Sequence, residues 1–227
     1  GNNQVFVVPA DGGTPRQMTF GNYPISGSVS WMPDSQSIIF SSNRRENVEY
    51  QPRQNDLFAA SLTSGEITQM TDHAGPESNP AVSPNGRYLA YTSAADTRQG
   101  YNRADLRVRD LRTGESRSLT ADLDRSVSDV QWASDSKSLW ISYNDLGMNR
   151  VAEVDLKGKL EQSNVVLGGT ALGRPYTSGA FSVGGKNRLS FTLGRDDRPA
   201  DLALLQPGKD PRVLTDLNSD LMGQREM

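Results

Sequence analysis

His73 is the single imidazole in 227 residues, and the chain has no cysteine. A Ser-His-Asp arrangement would have to use His73, yet the Gly-x-Ser-x-Gly elbow that presents such a serine occurs nowhere in the chain. His73 sits in Asp72-His73-Ala74-Gly75-Pro76, a turn-like stretch, and reads as a solvated or locally bonded loop residue. Without thiols, a Cys nucleophile, a thiolate zinc site and a disulfide scaffold are excluded. The acidic pairs Asp122/Asp124 and Asp196/Asp197 have no further ligands at fixed spacing and read as solvated turns. The expectation is therefore no catalytic residue, no metal site and no cofactor. What remains is arginine and tyrosine chemistry. Guanidinium groups clamp carboxylates or carbonyls, and phenols add rigid contact area. The candidate contacts, to a substrate or to a neighbouring domain, are Tyr50, Arg53, Tyr101, Arg103, Arg174 and Tyr176.

Composition narrows the partners. With 24 Lys+Arg against 27 Asp+Glu the chain carries a net charge of −3, so it lacks the basic excess of nucleic-acid binders. No apolar run approaches 18 residues, so no membrane partner is expected. The opening Gly1-Asn2-Asn3-Gln4 is polar and has no initiating Met, which reads as an internal start. Absence of Cys suits cytoplasm and periplasm alike, with a lean to the periplasm.

The elements that must position these residues repeat. Four segments share one layout: Ser30-Trp31-Met32-Pro33-Asp34-Ser35, Ala81-Val82-Ser83-Pro84-Asn85-Gly86, Gln131-Trp132-Ala133-Ser134-Asp135-Ser136 and Ala180-Phe181-Ser182-Val183-Gly184-Gly185. Taking Trp31, Val82, Trp132 and Phe181 as the equivalent anchors gives spacings of 51, 50 and 49 residues. An apolar run follows each turn, as in Ile38-Ile39-Phe40 and Leu139-Trp140-Ile141. A second marker closes the units: Met18-Thr19, Met70-Thr71, Leu119-Thr120 and Leu214-Thr215, with Val165-Val166-Leu167-Gly168 in place of it in the third. Each unit reads as four short strands, a to d. Four strands per repeat of about 50 residues mark β-propeller blades, because a lone four-stranded sheet cannot cover both its faces.

The expected fold is all-β: a β-propeller fragment of about four complete four-stranded blades plus an N-terminal half-blade. The half-blade (strands c and d) takes residues 1–20, the blades take 21–71, 72–120, 121–167 and 168–215, and 216–227 forms a linker. Uncovered end blades would favour self-association. In such a meander the b–c and d–a loops emerge at one end, and these carry the elaborations Asn43–Asn55, Ala94–Ala104 and Gly168–Tyr176. Long loops on a rigid frame are where binding residues concentrate.

Particular stretches carry a resemblance. Asn43-Arg44-Arg45 through Glu49-Tyr50-Gln51-Pro52-Arg53, Leu119 to Ser126, Gly173-Arg174-Pro175-Tyr176-Thr177-Ser178-Gly179 and Leu214-Thr215-Asp216-Leu217-Asn218 resemble one family. It is the acylaminoacyl-peptidase-like branch of the prolyl oligopeptidase family of serine peptidases, in its N-terminal propeller. The resemblance runs from about Val5 to Leu221. It implies a parent enzyme whose Ser-His-Asp triad lies in a following C-terminal α/β-hydrolase domain and cleaves short peptides. The propeller would cap that site and keep folded proteins out, so its implied partners are short peptides and its own hydrolase domain. No triad residue maps onto any position of this chain. The competing reading is a non-enzymatic Tol-type propeller scaffold for protein–protein interaction, which shares the turns and the Leu-Thr endings. A glycan-binding propeller ranks third, because the loops carry few Trp platforms.

Overall fold

A computed structural model describes residues 2–97, 99–169, 178–195, 199–217 and 219. The chain forms two compact units, Gly1–Ala121 and Asp122–Met227. In the first, β1 (Phe6–Val7) pairs with β2 (Arg16–Gln17) as a two-stranded antiparallel sheet. It is followed by the four-stranded meander β3 (Ile25–Trp31), β4 (Ser37–Ser42), β5 (Asp56–Ser61) and β6 (Ile67–Gln69). A second meander comprises β7 (Glu77–Val82), β8 (Tyr88–Ala94), β9 (Ala104–Asp110) and β10 (Ser116–Ser118). In the second unit β11 (Val127–Trp132), β12 (Ser138–Asp145), β13 (Met148–Asp155) and β14 (Leu160–Leu167) form one meander. The other is β15 (Phe181–Gly184), β16 (Arg188–Leu193), β17 (Asp201–Leu205) and β18 (Arg212–Val213). The described residues thus hold four antiparallel blades and a two-stranded half-blade.

The second strand of each blade explains the stacking. Ile38 and Phe40 of β4 join Val5, Met18 and Phe58 on one face of their sheet, while Ile39 joins Leu57, Leu89 and Tyr91 on the other. All three side chains are almost fully buried. Burying each is worth about 1.5–3 kcal/mol, which requires a neighbour on both sides of one sheet. In the second unit Trp140, Val151 and Val165 meet Phe181, Leu189 and Phe191 in the same way.

The threonine marker has a hydrogen-bonding cause. Beyond the last paired residue of each d strand, the Thr hydroxyl accepts a strand-c N–H that would otherwise have no partner. Thr19, Thr71, Thr120 and Thr215 Oγ1 accept from Val5, Leu57, Leu106 and Leu202 at 2.9, 2.9, 2.8 and 2.9 Å. The carbonyls of the same four residues accept from Met18, Met70, Leu119 and Leu214. The side chain thereby extends the c–d ladder by one bond. The unit without Thr keeps its backbone ladder going instead: Leu167 lies opposite Asn149, and Gly168 N–H donates to Thr192 O at 2.9 Å. Gly168 is needed there, since a Cβ would stand 2.4 Å from Gly194 Cα.

The tight a–b turns follow from an Asx bond. Asp34, Asn85 and Asp135 Oδ1 accept the N–H of Gln36, Arg87 and Lys137 at 2.9, 3.0 and 3.0 Å. The intervening Ser35, Gly86 and Ser136 take φ of 58°, 70° and 62°.

One anchor is corrected. Trp31, Val82 and Trp132 face Ile38, Leu89 and Leu139 in their ladders. The position in that register in the last blade is Val183, opposite Leu189, whereas Phe181 lies two residues earlier opposite Phe191. The spacings become 51, 50 and 51. Choosing the largest apolar side chain displaced the alignment; distance from the turn sets it. A hydrogen bond marks the same register: Ser30 Oγ accepts Val82 N–H and Gln131 Oε1 accepts Val183 N–H, both at 3.0 Å. The anchors also differ in burial. Trp132 is 8% exposed but Trp31 is 46% exposed, because only β1 and β2 stand against its face of the sheet.

Thr120→Val would leave Leu106 N–H, in a residue with no exposed surface, without an acceptor. Urea denaturation should register a loss of about 1–3 kcal/mol, with Thr120→Ser recovering most of it. An unchanged midpoint for the Val variant would refute the capping role.

Candidate functional site

Within the first unit the β4–β5, β6–β7 and β8–β9 loops meet at one end of the two blades around a cavity of about 800 Å³. Arg45, Tyr50 and Arg53 line it from the first loop, Ala74 from the second, and Asp96 and Gln99 from the third. Gln54 holds the three loops together. Its side chain is buried, donates through Nε2 to Asp96 Oδ2 at 2.8 Å and accepts Gly75 N–H through Oε1 at 2.9 Å. Gly75 cannot be replaced without moving backbone, since a Cβ would lie 2.0 Å from Ala94 O and its φ is +129°. Asn43 closes its own loop by donating to Gln51 O at 2.6 Å. Arg45 reaches both oxygens of Asp56, at 3.0 and 3.3 Å. Burial nevertheless raises the Asp56 pKa, with Arg45 pulling the other way.

The sequence-derived candidates separate. Tyr50, 86% exposed, and Arg53 stand together on the cavity wall. Tyr101 is exposed on the β8–β9 loop, and Arg103 pairs with Asp105 at 3.0 Å; neither lines this cavity. Arg174 and Tyr176 lie outside the described residues, as does Arg98. Arg44 is drawn away from the rim, its guanidinium 4.4 Å from the Tyr23 ring centroid. Gln54 and Asp96 were not singled out by sequence reading. The available signal was a single amide closing an Arg- and Tyr-rich loop immediately before strand c.

Glu77 was also missed, and it is the most perturbed acid here. It opens β7 beneath the same loops and is completely buried. It lines a neighbouring cavity of about 300 Å³ with His73, Tyr91 and Arg107. Neither carboxylate oxygen makes a hydrogen bond. Burial pushes its pKa up to about 7; the Thr71 hydroxyl and Arg107 favour the charged form but do not offset it. The Thr71 hydroxyl is near the carboxyl without reaching hydrogen-bonding geometry. His73 is exposed, as a solvated loop residue would be. Among the described residues no three His, Asp or Glu side chains gather as a metal-ligand set. Asp124 is solvent-facing beside Arg125, and Asp196/Asp197 lie outside the described residues.

Residues 1–97 match the family described as the dipeptidyl peptidase IV N-terminal region. The match takes in less than half of the chain and marks a likeness to that family. It is similar to dipeptidyl-peptidase 5 of Porphyromonas gingivalis, with 33% identity over 147 residues, covering 61% of this chain and 21% of that protein. Among solved structures, a puromycin-hydrolyzing peptidase of Mycobacterium tuberculosis superposes with a TM-score of 0.67 at 17% identity, covering 90% of this chain and 32% of the other. TolB from Acinetobacter baumannii gives 0.66 at 18%, covering 93% and 48%. Both structural likenesses establish the propeller fold and nothing finer. The sequence likeness favours the peptidase kinship over the Tol-type alternative. The chain spans about a fifth of the length of that curated relative.

The Glu77 carboxyl gives a signed pH prediction. The folded chain holds this proton to about 7, whereas an unfolded one releases it near the ordinary 4.5. Unfolding therefore releases a proton between those values, and stability falls as pH rises through that window and levels off above it. Glu77→Gln should remove this slope, gaining on the order of 2–3 kcal/mol over wild type at pH 8 and little at pH 4.5. Parallel denaturation curves at both pH values would contradict the assignment.

Proposed function

We propose that this propeller gates short peptides to a separate α/β-hydrolase domain carrying a Ser-His-Asp triad, and that its long-loop end supplies substrate contacts. The observation that carries this reading is the joint position of Tyr50 and Arg53 on a cavity framed by Gln54. A phenol and a guanidinium fixed on a rigid frame suit the backbone carbonyls or a terminal carboxylate of a peptide. Tyr101 and Arg103, on the neighbouring loop, are proposed as outer contacts to the peptide or to the hydrolase domain, and Arg174 and Tyr176 as contacts of the same kind. The dipeptidyl-peptidase relative supports the reading of the parent as a peptidase. Membership of a fold shared with TolB does not require catalysis, so the Tol-type scaffold remains the competitor to be tested.

The exposed apolar residues Trp31, Phe6 and Val8, at 46%, 56% and 53%, also support self-association of the 227-residue chain. Sedimentation should show a concentration-dependent rise in mass that Trp31→Lys reduces. A monomer at every concentration would remove this part of the proposal.

Two activity measurements test the peptidase reading. The 227-residue chain, which has no nucleophile elbow, should not turn over dipeptidyl or acyl-aminoacyl chromogenic substrates. In the full-length protein, which should hydrolyse them, Tyr50→Ala with Arg53→Ala should raise KM about 10-fold with kcat little changed, as loss of uniform binding does. A full-length protein without hydrolytic activity would favour the scaffold; an active one with unchanged KM would move the contacts elsewhere.

A further inference from the structure

Residues 72–76 of the β6–β7 loop stand between two cavities. Ala74 lines both the large one, which carries Tyr50 and Arg53, and the smaller one, which Glu77 lines. The loop is thin there: Asp72, His73 and Ala74 are exposed, while Glu77, next after Pro76, has no exposed surface. Three bonds hold the segment down. Gly75 N–H donates to Gln54 Oε1 at 2.9 Å, Pro76 O accepts Ala94 N–H at 3.1 Å, and Ala74 O accepts Asp96 N–H at 3.4 Å. Gln54 in turn donates to Asp96 Oδ2 at 2.8 Å. The bonds that cover Glu77 are therefore those that join the loop of Tyr50 and Arg53 to the β8–β9 loop.

Among the described residues, only Glu77 has both carboxylate oxygens buried without a hydrogen bond. The elements packed around it bear on its charge. Asp56 on β5 and Asp72 on the loop disfavour the carboxylate, Arg107 on β9 and the Thr71 hydroxyl favour it, and burial outweighs them. His73, Tyr91 and Arg109 complete the charged and titratable lining of its cavity. Strands β3 and β4, which also pack on β7, bring no titratable side chain. A neutral carboxyl is tolerated in such surroundings, but an ionised one requires water. Tyr91, Arg107 and Arg109 stand in paired strands, whereas residues 72–74 belong to a loop. The loop is thus the part of the wall that moves at least cost.

We propose that residues 72–76 form a proton-controlled latch on the Tyr50–Arg53 cavity: a protonated Glu77 keeps the loop down, and an ionised one lifts it to reach water. Lifting breaks the Gly75–Gln54 bond and frees Gln54 from its place between the loops, so the wall that holds Tyr50 and Arg53 loosens. The sign follows from linkage. Glu77 keeps its proton to about 7 under the closed loop and releases it near the ordinary 4.5 once hydrated. Opening therefore grows as pH rises between those values and levels off above them. The latch regulates the peptide site proposed above and rests on that reading only for what it regulates.

Amide hydrogen exchange of the 227-residue chain, followed by NMR and corrected for the intrinsic effect of pH, reads the latch at Gly75 and Ala94. Opening at both should increase about 70-fold from pH 5 to pH 8, with most of the rise complete by about pH 7. It should be insensitive to low urea, as a local opening is, whereas Ile39 and Leu89 on the central strands should exchange only through a urea-dependent global opening. Glu77→Gln should flatten the profile to within about 2-fold, and His73→Gln should retain it. Gln54→Ala cuts the Gly75 bond but keeps the acid. It should raise opening at Ala94 about 10-fold at every pH and preserve the slope, which keeps the proposal testable if Glu77→Gln does not fold. Opening at Gly75 and Ala94 that is flat with pH, or that follows Ile39 and Leu89 in urea, would overturn the inference. So would a slope lost in His73→Gln and kept in Glu77→Gln. Exchange reports the latch whether or not the parent hydrolyses peptides, so the two readings fail separately.

Discussion

Ile39 and Phe40 are adjacent on β4, point to opposite faces of one sheet and have no exposed surface. A sheet four strands wide offers nothing of its own to cover either face, so each blade is stable only against a neighbour. The rest of the architecture follows from that dependence. The runs Ile38-Ile39-Phe40 and Leu139-Trp140-Ile141 have to be apolar throughout, and their hairpin turns have to be short enough to keep every blade in step. Where a neighbouring sheet is only two strands wide, as β1 and β2 are beside β3, the face is partly bare and Trp31 shows it.

Hydrophobic burial has no direction, so stacking alone would not fix how far one blade slides along another. Directional polar bonds do that work. Ser30 and Gln131 occupy equivalent positions and each accepts the N–H of the corresponding residue in the following blade, Val82 or Val183. The Thr hydroxyls terminate the c–d ladders by accepting one N–H each. These bonds explain why small polar residues recur beside large apolar ones. The apolar residues supply most of the free energy, and the polar ones choose a single register.

Turn chemistry and double-faced apolar strands were therefore legible, because Asp-Ser, Asn-Gly and Leu-Thr each encode a local bond. The displaced fourth anchor shows the limit. Phe181 and Val183 are both apolar on one strand, and size gave the wrong equivalence where the distance to Gly184-Gly185 gives the right one. The long-loop end was legible as a location, since composition places Arg and Tyr there. Which of them meet was not. Tyr50 and Arg53 converge because Gln54 bonds to Asp96, 42 positions away, and to Gly75, 21 positions away. Contacts at that separation leave no periodic trace. Glu77 was hidden for a related reason: its environment comes from Thr71, Tyr91 and Arg107 on three other segments.

Glu77 also separates what the fold needs from what it merely tolerates. Its backbone joins the two blades of the first unit, its N–H donating to Asn55 O at 2.9 Å and its carbonyl accepting from Ser41 Oγ at 2.6 Å. Any residue but proline could make those two bonds. The carboxyl makes none, sits where burial disfavours its charge, and lies under the loops that carry Tyr50 and Arg53. A glutamine of similar shape would serve the packing better at neutral pH. The stacked apolar faces supply enough free energy to carry that cost. Packing therefore gives no reason for an acid at this position, and the chemistry of the adjoining loop end is the place to look for one.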